Sequence, residues 1–179
     1  MDLKELGAYL RRPSTRDRLR VETRDWYDSA GDDPHFRRWL DDGTVEVDDA
    51  WQGWLDGIRA NVAGGTVLRR VRVIPKGPLN DYLRFELGVQ FPLNVEYGEQ
   101  IRVLVVDEQE LGHLTDCFVI NGGERVAISY YDPQGKFFEA QVADLPEAWA
   151  KAAQAMWDEA VEYDEWRAAH PEYRQRRAA

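Results

Sequence analysis

The sequence predicts an α/β protein, built on a mixed sheet with a βαβ core and flanking helices. Three observations carry that expectation. Residues 66–74 are rich in β-branched and aliphatic side chains, with Val67, Leu68, Val71, Val73 and Ile74 at short spacing. Residues 80–87, with Tyr82, Leu83, Phe85 and Leu87, read as a short helix. The strand pattern then returns at 101–106, 116–121 and 124–131. A strand, a helix and a second strand in that order give a βαβ unit and a sheet with parallel character.

Taken in order, Leu3, Leu6 and Leu10 stand at helical spacing and Pro13 closes that first helix. Leu19 to Thr23 alternates apolar with polar, a short strand signal. Asp32, Asp33 and Pro34 form a helix start, and Gly43 a stop. Asp48 and Asp49 cap a helix whose Trp51, Trp54, Leu55, Ile58 and Val62 recur on one face, ended by Gly64 and Gly65. Helical spacing makes Trp51 and Trp54 packing residues first. Residues 91–98 are expected as a loop, Gly122 and Gly123 as a tight hairpin turn, and Asp132 to Gly135 as a second turn. An alanine-rich stretch at 145–167 predicts one long C-terminal helix, with Leu145, Trp149, Met156, Ala160 and Tyr163 turned to the core. The chain is expected as a single domain, 1–179. Within it lie a helical N-terminal part (1–65), a sheet core (66–142), a C-terminal helix (143–167) and a frayed basic tail (168–179).

Composition narrows function by exclusion. A 44% hydrophobic content with seven Trp in 179 residues argues for an ordered globule. The formal charge of -10 repels polyanions, so no direct nucleic-acid partner is expected. Cys117 is the only cysteine, which removes any internal disulfide or cysteine-based zinc cluster. Its apolar setting beside Phe118 reads as a small buried hydrophobe. The first ten residues are charged throughout and no apolar run reaches ~20 residues, so neither a leader nor a membrane partner is expected. The chain is expected to be soluble and cytoplasmic. Phosphate-binding glycine loops, HExxH and GxSxG are all absent, and no cofactor or metal is expected. The remaining candidates for a ligand or partner site are Arg72, Asn80, Tyr82, Arg84, Glu86, Asn94, Glu99 and Asp116, at or beside strand ends. An Arg–carboxylate lattice there could orient a small anion, or equally tie a loop to the sheet.

Several blocks carry a resemblance. Arg20-Val21-Glu22-Thr23, Phe36-Arg37-Arg38-Trp39-Leu40, Arg70-Val71-Arg72-Val73, Tyr82-Leu83-Arg84-Phe85-Glu86-Leu87, Asn94 and Gly98-Glu99-Gln100-Ile101-Arg102 occur in that order. Together, over roughly residues 19–160, they resemble an uncharacterised family of actinobacterial proteins, a domain of unknown function. Its genes commonly sit beside helix-turn-helix regulators. The resemblance implies a soluble cytoplasmic protein with a regulatory role, and it carries no established activity. Residues 114–121 are more weakly similar to the HxKxxxxD strand of the phospholipase D superfamily, implying a phospholipase D-like half. Leu114, Asp116 and Asn121 occupy the three motif positions, so the resemblance implies a non-catalytic version.

Two functional readings follow. In the first, the chain is a non-catalytic regulatory or interaction module. Its partner is basic, such as a helix-turn-helix regulator, and meets an acidic C-terminal helix where Trp157 and Trp166 lie off the core stripe. In the second, it is an enzyme or small-anion-binding protein using the Arg/Asn/Tyr/Glu cluster. Homo-oligomerisation is left open.

Overall fold

The computed structural model describes residues 1–28 and 33–173. Residues 174–179 of the expected basic tail, and Asp32 of the expected helix start, lie outside the described residues. The architecture is mixed α/β, an open seven-stranded sheet in the order β6-β5-β4-β1-β2-β3-β7. Its middle is made by β1 (Asp17–Glu22), β2 (Val67–Pro75) and β3 (Gln100–Val106), which run parallel. The remaining pairings, with β4 (Cys117–Ile120), β5 (Arg125–Tyr131), β6 (Phe137–Val142) and β7 (Val161–Glu162), are antiparallel. The sheet is therefore not confined to 66–142, since the short N-terminal strand β1 is its central member.

Local sequence explains most helix ends. Asp2 and Glu5 form a reciprocal capping box on α1 (Leu3–Leu10). Asp33 caps α2 (Pro34–Asp42), which has Pro34 in its first turn and Gly43 in the left-handed conformation after it. Asp48 accepts from the Trp51 amide to start α3 (Asp49–Ala63). In the hairpin after β4, Asn121, Gly122 and Gly123 all have positive φ. At Gly123 a Cβ would lie 2.7 Å from Ala150, so glycine there lets the following helix approach the turn.

Two stretches differ from expectation. Residues 91–96, expected as a loop, form a helix. Asp81–Phe85 (α4) passes through a π-helical turn at Glu86–Gln90 directly into Phe91–Glu96 (α5). Pro92 has no N–H to donate back, and the wider turn before it absorbs that break in the ladder. The expected single helix at 145–167 is two. After α6 (Glu108–Leu111), the C-terminal part consists of α7 (Pro146–Glu159), the edge strand β7 and α8 (Tyr163–Ala169). Ala160 is extended, with φ −69 and ψ 144. Arg102 of β3 donates to the Trp157 carbonyl at 2.8 Å and to Glu162 at 2.6 Å, and the Tyr163 hydroxyl donates to the Leu87 carbonyl. These tertiary bonds override the alanine-rich helix propensity at 160–162.

Strand alternation separates two cores. On one face Leu19, Val21, Val71, Val73 and Val119 pack under Ala150, Ala153 and Trp157 of α7. Leu145 is exposed and Trp149 and Met156 are half-buried, so the inner stripe of α7 is rotated from the expected one. The opposite face carries α1 to α5 and α8, in three smaller apolar clusters.

Trp51 is buried, with ring contacts to His35 and Phe85, whereas Trp54 is 53% exposed. Trp51→Ala should therefore cost about 3–5 kcal/mol in denaturant unfolding, and Trp54→Ala less than about 1 kcal/mol. Equal losses would contradict this placement.

Candidate functional site: a buried charge lattice under an open cleft

Strands flanked by parallel neighbours and covered on both faces normally read as continuous apolar runs. On the face that carries α1 to α5, β1 presents Arg18, Arg20 and Glu22, and β2 presents Arg70 and Arg72 between Leu68 and Ile74. The parallel register sets Arg20 beside Arg70 and Glu22 beside Arg72.

Every carboxylate in this group is engaged. Glu22 accepts from Arg70 at 2.9 Å and pairs with Arg20 at 2.5 Å. Arg70 grips both oxygens of Glu99, at 3.0 and 3.1 Å, and Asn94 donates to Glu99 at 3.0 Å. Glu86, the first residue of the π-helical turn, accepts from Arg72 Nε at 2.8 Å and from the Tyr82 hydroxyl at 2.7 Å. The Arg72 Nη2 sits 2.8 Å from Glu86 as an ion pair, yet neither terminal nitrogen of Arg72 makes a well-aligned hydrogen bond. Tyr27 lies across the Arg72 guanidinium and donates to Asp116 at 2.5 Å. Asp116 also accepts from the Thr23 amide and hydroxyl, both at 2.8 Å, and borders a separate hollow of about 390 Å³.

The electrostatics follow from burial and pairing. Burial opposes ionisation of Glu22, but Arg20, Arg70 and Arg72 outweigh it and hold the carboxyl well below the ordinary range. Burial pushes Glu86 and Asp116 up, against the pull of Arg72 on the first and of the Tyr27 and Thr23 hydrogen bonds on the second. Tyr27 and Tyr82 are raised well above the usual phenol value by burial and neighbouring carboxylates. Burial, with Asp116 beside it, lifts the Cys117 thiol to about 12, which leaves an inert thiol.

Above the lattice lies a cavity of about 600 Å³, and it is not filled by a helix. Arg20, Glu22, Arg70, Glu86 and Asn94 form its floor. Tyr27, Trp51, Trp54, Tyr82, Tyr131 and Phe137 supply aromatic walls, with His35 and Lys136 also lining it. Such a site can recognise a small charged or polar molecule with a flat body. Among the described residues no group of three or more His, Cys, Asp and Glu is placed to hold a metal ion. No described helix is long and apolar enough to cross a membrane.

Of the residues singled out from sequence, Arg72, Tyr82, Glu86, Asn94 and Glu99 meet in the lattice, and Asp116 joins it through Tyr27. Two do not. Asn80 caps α4 and donates to the Asp25 carbonyl, and half-buried Arg84 lies over the Tyr173 ring. Trp157 and Trp166 are not surface anchors. Trp157 is buried beneath Arg69 and Arg102, and Trp166 is buried in a stack with His170 and Tyr173. Trp157 shares the inner stripe of α7 with Ala150 and Ala153, and after the break at Ala160 α8 buries Trp166 in a second cluster. Leu114, Asp116 and Asn121 do not converge either, because Asp116 precedes β4 and Asn121 follows it. Asn121 instead holds the entry to β1, accepting from the Arg16 and Asp17 amides.

Sequence reasoning left Arg20, Glu22 and Arg70 out of the site. Their alternation with apolar neighbours looks like a wet strand face. The signal that could have found them is position, since a strand with parallel partners has no wet face to offer.

An α/β domain with a polar, aromatic-walled cleft over its parallel strands is the class these features define. The chain belongs to the family described as a domain of unknown function (DUF6879), whose sequence profile matches residues 4–168. No curated protein and no solved structure matches the chain.

Arg70→Ala leaves Glu22 and Glu99 short of a buried partner and should cost about 3–5 kcal/mol in denaturant unfolding. Glu22 has a lowered folded value, so its contribution is present above its ordinary value of 4.5 and is lost as pH falls through the folded value. Glu86 and Asp116 act in the opposite sense, their contributions falling as pH rises through the raised folded values. The Tm difference between the protein and Glu22→Gln should therefore narrow as pH falls from 4.5 towards 2. A difference that stays constant over that range would show that Glu22 is not held ionised.

Proposed function

We propose that this domain binds a small molecule in the cleft and does not turn it over. One observation carries the reading: four charged groups of the lattice, Arg20, Glu22, Arg70 and Glu86, line an open cavity, with Arg72 and Glu99 paired to them behind it. A lattice that only tied loops to the sheet has no need of an unfilled space above it. The absence of turnover rests on occupancy. Each lattice carboxylate already accepts from arginine, tyrosine or asparagine, which leaves no free base or nucleophile at the floor. A regulatory role fits a binding domain whose output is a change of stability or shape.

The partner reading comes second. Asp144, Glu147, Asp158, Glu159, Asp164 and Glu165 are exposed, which supports steering of a basic partner such as a helix-turn-helix regulator. It has lost its indole anchors, because Trp157 and Trp166 are buried.

Thermal-shift screening with small anionic, cationic and zwitterionic metabolites tests the proposal. At least one class should raise Tm by several degrees and change the Trp51 and Trp54 fluorescence, with no chemical change in the recovered ligand. A screen in which no class shifts Tm, or in which a hit is recovered as product, overturns it.

A further inference from the structure

One basic side chain near the cleft has no partner. Arg18, half-buried on β1, makes no hydrogen bond or ion pair with any described residue, although Arg20, Arg69, Arg70, Arg72 and Arg102 are all paired. Its register neighbours across the sheet, Leu68 and Ile120, are apolar. Burial depresses its pKa; Glu99 pulls the other way, and Arg20, Arg70 and Arg11 add to the depression. Glu99 is already gripped by Arg70 and Asn94. The fold therefore holds a cation where desolvation and three like charges oppose it.

Beside Arg18 is an arm of the cleft of about 280 Å³, sharing Arg20, Trp54 and Arg70 with the larger cavity. Its far wall is α3, which lines it with Trp54, Ile58, Asn61 and two glycines. Gly53 and Gly57, one helical turn apart, face it, and a Cβ on either would meet nothing within 4 Å. Neither has positive φ, so nothing in the backbone calls for glycine. Each interior glycine costs a helix roughly 0.5–1 kcal/mol relative to alanine. Two such positions on the wall facing the unpaired arginine leave room for something the chain itself does not supply. At the junction of the two cavities stands Trp54, 53% exposed and flat.

We propose that this arm is an oxyanion site. Arg18 and the open edge of Arg20 take the phosphate or carboxylate group of a small molecule, while its planar body lies along Gly53 and Gly57 towards Trp54. Arginine offers paired donors matched to both headgroups, and it stacks on flat rings. The overall charge of -10 and the small volume select a small molecule over a polymer. The inference rests on reading the cleft as a ligand site, and it names the class of ligand.

Calorimetric titration with phenyl phosphate, inorganic phosphate, benzoate and benzylamine distinguishes the possibilities. Phenyl phosphate should bind more tightly than inorganic phosphate and weaken with salt; benzoate reports whether a carboxylate is also accepted. Arg18→Gln should lower affinity for phenyl phosphate by at least roughly tenfold while raising the Tm, because it removes an opposed cation. Gly57→Leu should abolish binding by filling the arm and leave the Tm unchanged or higher. Arg18→Gln that lowers the Tm with no loss of binding would make Arg18 a structural residue and overturn the site. Binding that survives Gly57→Leu overturns it as well. Binding of benzylamine alone overturns the oxyanion assignment but leaves the cleft a ligand site. Failure of all four probes, with other hits in the metabolite screen, has the same meaning.

Discussion

The inner face of this sheet is governed by the parallel pairing of β1 with β2, two strands with neighbours on both sides. That pairing sets Arg20 and Glu22 beside Arg70 and Arg72, with connections packed over them. Ions taken from water at such a place each cost several kcal/mol unless they are paired and hydrogen-bonded. The demand reaches into elements distant in sequence. Glu99, just before β3, must meet Arg70. Asn94 at the end of α5 must complete Glu99, and Glu86 must reach Arg72. The π-helical turn that begins at Glu86 belongs to the same requirement, since it changes the register between α4 and α5 at the residue that closes the second ion pair.

A lattice of this kind is not the stable default. Buried ion pairs replaced by well-packed apolar residues are often neutral or better for stability. The same strands show the alternative on their other face, where Leu19, Val21, Val71 and Val73 form an apolar core under α7 and the Arg69–Asp17 pair is half-buried beside it. One face has an apolar centre under α7, and the other is charged at its centre beneath a cavity. Foldability required the first and not the second, so the second is where selection other than stability is to be sought.

Elements with a local cause were legible in the sequence. Capping residues, glycine stops and the strand–helix–strand rhythm placed α1 to α4 and β2 to β5 close to their observed bounds. What escaped was set by tertiary contacts. Nothing between 145 and 167 reveals that Arg102, some sixty residues earlier, grips the Trp157 carbonyl and Glu162 and ends α7. Trp157 is buried on the inner stripe of α7 and Trp166 in the redirected α8, so neither indole expected at a surface is there. The candidate site was half legible for a similar reason. Tyr82, Glu86, Asn94 and Glu99 stood out as polar residues around a βαβ unit. Arg20, Glu22 and Arg70 were hidden in a pattern that means solvent on an edge strand and means a site in the middle of a sheet. Neighbour count, which the sequence does not state, decides between the two.

Along β1 the degree of pairing changes in steps of two residues. Glu22 is fully engaged, Arg20 has one partner and an open edge, and Arg18 has none. The aromatic walls lie over the paired end, around Tyr82 and Tyr131, and Gly53 and Gly57 of α3 line the unpaired end. A ligand entering such a gradient cannot lie either way round. Its negative end is drawn to the arm between α1 and α3, where charge is uncompensated, and its flat end to the rings, where charge is neutralised. Arg20 is held in place by Glu22 of the lattice, so part of that orientation is set by the protein before any induced movement. The unfavourable charge at Arg18 and the absent side chains at Gly53 and Gly57 become one feature seen from its two walls.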